Sequence, residues 1–198
     1  MHLSQIRSSA ANTMRSIFSA LKYMNVEKRK EVVYSMVISK FEYGIELYAA
    51  QNVDVKERLF TSIMKYNKII YAKPTYMVRN DHICETISTQ MPEQLMYGKL
   101  MKFLHKLSRQ DKPAQISGYF SKPRSLRLQS KLVPTENPSS EKRIRNIIFR
   151  GPKIYNKLPE YYRNMKLSIF KNKIQDIKIK ENKDGPTIFE RHKIISQR

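Results

Sequence analysis

The sequence predicts a mainly α protein: a helical bundle followed by a small C-terminal unit of β-ribbon plus helices. Three observations carry this. Through the first 110 residues apolar side chains recur at three- and four-residue spacing, the period of a helix with one buried stripe. After Gln110 prolines cluster, and Ser125–Val133 (SLRLQSKLV) alternates apolar and polar residues, the period of a strand. Only 5 Gly and 9 Pro occur in 198 residues, which suits helices over a sheet-rich fold.

The first helix is expected over 3–24. Ile6, Ala10, Met14, Ile17, Leu21 and Met24 form its stripe, and Arg7, Arg15 and Lys22 lie off it. Asn25 is the expected N-cap of a second helix over about 26–50. Its apolar set (Val32, Val33, Met36, Val37, Phe41, Ile45, Leu47, Tyr48) is broad, the mark of a central, buried helix. Gly44 costs a helix interior roughly 1 kcal/mol relative to Ala, so a close crossing or a local break is expected there.

A third helix over about 54–72 turns Val55, Leu59, Ile63, Tyr66 and Ile70 inward and Lys56, Arg58, Lys65 and Lys68 outward; Pro74 ends it. Residues 73–90 read as irregular, with a short helix at 81–87. A fourth helix, about 92–109, has an apolar face of Met96, Leu100, Phe103, Leu104 and Leu107. A separate basic stripe of Lys99, Lys102, Lys106 and Arg109 runs beside it.

Pro113, Pro123, Pro134 and Pro138 mark residues 110–142 as an extended connection. The alternating Ser125–Val133 segment has its natural strand partner in Arg143–Phe149. Two strands alone are marginal, so the ribbon is expected to lie on helices. Gly151-Pro152 reads as a turn leading into a short helix with Ile154, Tyr155 and Leu158, stopped by Pro159. A second amphipathic segment carries Ile169, Phe170, Ile174 and Ile177. The expected organisation is 1–110 basic helical bundle, 111–180 connection, ribbon and C-terminal helices, and 181–198 a loose polar tail.

Charge narrows the function. The chain holds 38 Lys+Arg against 17 Asp+Glu, a net charge of +21. That excess calls for a polyanionic partner, most simply nucleic acid, with an anionic membrane surface as the competitor. No run approaches the roughly 20 apolar residues that span a bilayer. No secretory hydrophobic region opens the chain, and a single Cys (Cys84) fits a reducing compartment. An intracellular location, nuclear or cytoplasmic, is expected over secretion.

Most catalytic constellations are missing. No adjacent Asp pair is present to hold catalytic Mg²⁺. Gly44, Gly98, Gly118, Gly151 and Gly185 are isolated, so no phosphate loop exists. His82 and Cys84 are two ligand types without a third or fourth; the bland reading is surface histidines, His105 included, and a half-buried cysteine. No catalytic residue, metal or cofactor is assigned. Tyr155, Tyr161 and Tyr162 could stack on bases, but aromatics at helical spacing more often pack in a core. Tyr155 is therefore read as a packing residue, and one of Tyr161 and Tyr162 as exposed.

Phe149-Arg150-Gly151-Pro152-Lys153-Ile154-Tyr155-Asn156-Lys157-Leu158-Pro159, followed by Ser168-Ile169-Phe170-Lys171, resembles a C-terminal signature of jockey-like non-LTR retrotransposon reverse transcriptases. There the motif runs Gly-Pro-x-x-Trp-Asn-x-Leu-Pro, then Ser-x-x-Phe-Lys. Phe41-Glu42-Tyr43-Gly44-Ile45-Glu46-Leu47-Tyr48 is similar to the family's Tyr-Gly-x-x-x-Trp near the end of a thumb helix. Both Trp positions carry Tyr here, Tyr48 and Tyr155. The likeness covers roughly residues 5–178 and implies the thumb-like and post-thumb part of an RNA-directed DNA polymerase. The catalytic Asp-Asp palm would lie upstream of Met1, so the chain is expected to be no enzyme by itself, and the upstream polymerase domains are possible partners.

The resemblance implies helices that lie along a template–primer and hold its backbone by shape and phosphate contacts. The residues taken for that work come from the basic stripes: Arg7, Arg15, Lys22, Lys99, Lys102, Lys106 and Arg109, with Arg143, Arg145, Arg150 and Lys153. The partner is the backbone of RNA–DNA hybrid, RNA or DNA. The alternative is a domesticated or remnant structural protein whose basic helices bind an acidic protein or an anionic membrane.

Overall fold

The computed structural model describes residues 3–72, 78–110, 120–121, 131–134, 147–174, 177–182 and 185–190. They are mostly helical. The chain forms two compact units, Met1–Ile45 with Val53–Leu95, and Glu46–Asn52 with Met96–Arg198.

In the first unit α1 is Leu3–Leu21 and buries Leu3 with Ile6, Ala10, Met14 and Leu21 of the expected stripe, while Ile17 and Met24 are half-buried. Asn25 caps α2 (Val26–Val33): its side-chain oxygen accepts the Lys28 amide at 2.9 Å. The helix then widens into a π-turn, Tyr34–Ile38, before α3 (Ser39–Glu42). Ser35 and Ser39 hydroxyls donate to the Val32 and Ser35 carbonyls there, a back-bonding that bends helices. Gly44 breaks the helix as anticipated, with φ 69. A 3-10 segment, Ile45–Ala50, follows. The expected helix over 26–50 is thus in four segments, α2, the π-turn, α3 and the 3-10 segment, and Met36 and Leu47, read as part of its buried set, are exposed.

The α4 helix (Val53–Tyr71) buries Leu59, Ile63, Tyr66 and Ile70, and α5 is Asn80–Thr86. One outward residue is corrected: Lys56 is only 2% exposed. Helix α2 packs on α4, α4 on α5, and α1 on the π-turn and α3. Val33, Val37, Ile38 and Phe41 fill the space between them.

Arg29 ties the helix ends together. Its guanidinium donates to the carbonyls of Leu21 (3.1 Å), Met24 (2.9 Å) and Ile70 (3.2 Å). These lie at or just past the last turns of α1 and α4, where the helix dipole favours a cation; the Leu21 carbonyl also accepts the Met24 amide at 3.2 Å.

The second unit is built on α6 (Pro92–Gln110), whose residues from Met96 onward belong to it. Met96, Tyr97, Leu100, Met101, Leu104, His105 and Leu107 are buried. Among the described residues three helices follow: α7 (Ile147–Tyr155), α8 (Glu160–Asn164) and α9 (Leu167–Lys173). Two strand pairs are antiparallel. The pair β1 (Phe120–Ser121) and β2 (Val133–Pro134) is minimal; β3 (Ile177–Asn182) pairs with β4 (Gly185–Glu190).

The expected ribbon is corrected. Ile147–Phe149 are helical, not a strand, and Val133 pairs with Ser121. The rest of the two anticipated strands, 125–130 and 143–146, falls outside the described residues. Residues 185–190, read as loose tail, are strand.

Gly151-Pro152 is also not a turn; both sit inside α7. Proline there forgoes one helical hydrogen bond. Tertiary packing explains the glycine. A β-carbon on Gly151 would meet both Leu104 methyls at 3.3 Å, so the pair lets α7 cross closely over α6.

Candidate nucleic-acid interface

In the first unit the outer face of α1 gathers three of the anticipated cations. Arg7, Arg15 and Lys22 are exposed. At 3.6 residues per turn Arg7 and Arg15 fall within about 80° of the circumference of α1, and Lys22 follows in the turn just past its end, in a row roughly 22 Å long. Helix α1 holds no Asp or Glu, and the first acid along the chain is Glu27. The neighbouring outward residues Ser4, Gln5, Ser8 and Asn12 carry hydroxyls and amides, groups that bond phosphate and sugar oxygens. Asn12 accepts from Arg15 at 3.1 Å; on the opposite flank of α1, Lys40 donates to the Ser9 and Thr13 hydroxyls at 2.8 Å each. This face is rich in donors, and α1 contributes no negative charge to it.

Sequence reasoning missed two members of this region. Phe18 is 47% exposed and lies in the same row, with the Lys22 ammonium 5.9 Å from its ring centre. Tyr23, in the turn after α1, is 92% exposed. The available signal was that Phe18 falls off the Ile6–Ala10–Met14–Ile17–Leu21 stripe.

The second unit treats its cations differently. Lys99 and Lys102 are half-buried on α6, while Lys106 and Lys153 are exposed. Arg109 donates to the Arg163 carbonyl at 2.9 Å, and Arg150 to the Gln51 carbonyl at 3.3 Å. Arg163 itself is buried and donates to the Leu158 carbonyl. Arg143 and Arg145 lie outside the described residues. The anticipated set therefore divides into Arg7, Arg15 and Lys22 in one unit and Lys99, Lys102, Lys106, Arg109, Arg150 and Lys153 in the other.

The signature Phe149–Pro159 is chiefly architectural. Tyr155 is fully buried, as expected of a packing residue, and its hydroxyl lies 2.9 Å from His105 Nδ1 and 3.2 Å from Ser108 Oγ. His105 Nε2 is 3.0 Å from the Met165 carbonyl. A carbonyl only accepts, so Nε2 carries the hydrogen and Nδ1 accepts from the Tyr155 hydroxyl. Phe170 stacks on the imidazole at 3.8 Å, nearly parallel. His105 is thus a buried hub joining α6, α7, α9 and the turn at Met165, which corrects its reading as a surface histidine. Burial is the main cause that pushes His105 down to about 4; the Arg109 charge adds to it and the Met165 bond opposes it. Burial also raises the Tyr155 phenol. With both ring nitrogens engaged, the imidazole is placed to hold structure, not to shuttle protons.

Asn156 completes the motif. Its amide exchanges two hydrogen bonds with the Leu132 backbone, donating to the carbonyl at 2.8 Å and accepting from the amide at 3.0 Å. Of the adjacent tyrosines, Tyr162 is buried and Tyr161 exposed, as anticipated.

Elsewhere, Cys84 is buried beside Met64 and Asn67, and burial raises its thiol away from the nucleophilic thiolate. Among the described residues no group of three or more His, Cys, Asp or Glu could hold a metal ion, and no helix is long and apolar enough to cross a membrane. Comparisons with protein-family models, with curated proteins and with solved structures find no match to this chain.

Proposed function

We propose that this chain binds the sugar–phosphate backbone of nucleic acid without reading its sequence. The observation that carries this reading is the acid-free outer face of α1, with Arg7, Arg15 and Lys22 in one row among hydroxyl and amide side chains. The net charge of +21 supports it. The motif resemblance supports a narrower version. In it the chain is the thumb and post-thumb part of a non-LTR retroelement reverse transcriptase, intracellular, holding template–primer while an upstream palm does the chemistry.

Fluorescence anisotropy with labelled RNA–DNA hybrid and DNA duplex tests the binding. Micromolar affinity at low salt is expected, with log K falling linearly against log salt. Replacing Arg7, Arg15 and Lys22 together by Gln should make that slope shallower by about 2–3, since each phosphate contact contributes roughly 0.9. Wild-type protein that binds neither duplex at low salt would overturn the proposal.

A further inference from the structure

The end of α1 combines two features that backbone binding alone does not use. Phe18 stands half-exposed in the cationic row, its ring flanked by the Lys22 ammonium at 5.9 Å. Five residues on, Tyr23 is 92% exposed in the turn that closes the helix, with Val26 exposed just beyond. Single exposed apolar side chains are ordinary on a protein surface. Two aromatic rings within six residues, set at the end of an acid-free row of cations, are a different arrangement. Cations track phosphates, and an aromatic face takes a base of any identity, because every base has a π-face.

We infer that Phe18, Lys22 and Tyr23 form a stacking platform for unpaired bases, so that the Arg7–Arg15–Lys22 row leads a strand from backbone contacts onto aromatic rings. The ligand class is single-stranded nucleic acid, or the unpaired end of a duplex. This rests on the backbone-binding reading above and adds a site and a substrate form to it. Charge chooses this occupant: no carboxylate lies among residues 3–26 to repel a phosphate or to meet a basic protein. Lys22 also serves both partners, its ammonium being close enough to Phe18 for a cation–π contact and free to swing toward a phosphate.

The test compares a blunt hybrid duplex with the same duplex bearing a four-nucleotide overhang, and with an overhang of abasic sites. Wild-type protein should prefer the base-bearing overhang about fivefold or more, the low end of what one aromatic–base stack contributes, and should show no preference for the abasic one. A 2-aminopurine in the overhang should be quenched on binding. Tyr23→Ala alone should remove much of the preference, and Tyr23→Ala with Phe18→Ala nearly all of it. Because Tyr23 lies almost wholly in solvent, its loss cannot be traced to misfolding. Equal affinity for blunt and overhanging duplexes, with 2-aminopurine unquenched, would overturn the platform while leaving backbone binding standing. Failure to bind any of the three would overturn both. Co-sedimentation with phosphatidylserine vesicles that the same substitutions abolish, in place of an overhang preference, would assign the rings to a membrane surface and overturn the inference.

Discussion

The outer face of α1 and the His105–Tyr155 hub spend their polar residues in opposite ways. On α1 the cations Arg7, Arg15 and Lys22 stand in solvent. Around the hub Arg109 and Arg163 are turned onto main-chain carbonyls, and His105 is fully buried with both nitrogens engaged. An arginine is therefore not a binding residue by composition. Where a chain has short helices and many turns, it has many carbonyls without a helical amide, and a long guanidinium is the side chain that reaches them. The hub should answer for stability and the α1 face for binding, and each can be altered without the other.

The largest effect is expected in the hub. Tyr155→Ala removes a fully buried ring, and should destabilise the second unit by about 3–5 kcal/mol. A thermal or urea melt checks it. A melt indistinguishable from wild type would mean that the signature motif does not hold the unit together.

Acid should act at the same place, somewhat less strongly. His105 is pushed down to about 4 in the folded chain, from an unfolded value near 6.5. The unfolded chain therefore takes up the proton first as pH falls. The stability tied to neutral His105 is complete above about pH 6.5 and is lost progressively between about 6.5 and 4. The full span is at most about 3.5 kcal/mol, at roughly 1.4 kcal/mol per pH unit. Urea melts at pH 7.5, 6 and 5 should show the midpoint falling, and His105→Gln should be less stable at pH 7.5 but flatter across the series. A wild-type midpoint constant from pH 7.5 to 5 would contradict the placement of this ring.

How far these features could be read in advance depends on the distance their causes act over. The stripes of α1, α4 and α6 were legible because a 3.6-residue period is local, and so were the Asn25 cap and the break at Gly44. His105, Asn156 and Arg29 were not. The partners of His105 lie 50 and 60 residues away, that of Asn156 24, and one of Arg29's three 41, and no local pattern announces these. Gly151-Pro152 misled for the same reason. Locally the pair signals a turn, but its glycine answers to Leu104 on another helix. On the candidate interface the row of cations was legible from helical spacing. Which arginines of the second unit face a ligand was not, because Arg109 and Arg150 are engaged by carbonyls distant in sequence.

The smallest effects separate the two kinds of arginine most sharply. Arg29 donates to three carbonyls and is half-buried; Arg15 is exposed and bonds Asn12 one turn away. Arg29→Met keeps the apolar stem but leaves the carbonyls at the ends of α1 and α4 to water, and should cost about 2 kcal/mol of stability. Arg15→Gln should change stability by less than about 0.5 kcal/mol, as exposed substitutions do. Binding should rank them the other way. Arg15→Gln should make the salt slope shallower by about 0.9, the share of one phosphate contact, and Arg29→Met should leave it unchanged once the protein is folded. If Arg29→Met lowered the slope at full stability, its guanidinium would be reaching a phosphate, and the division between structural and ligand-facing cations would have to be redrawn around the turn that joins α1 to α2.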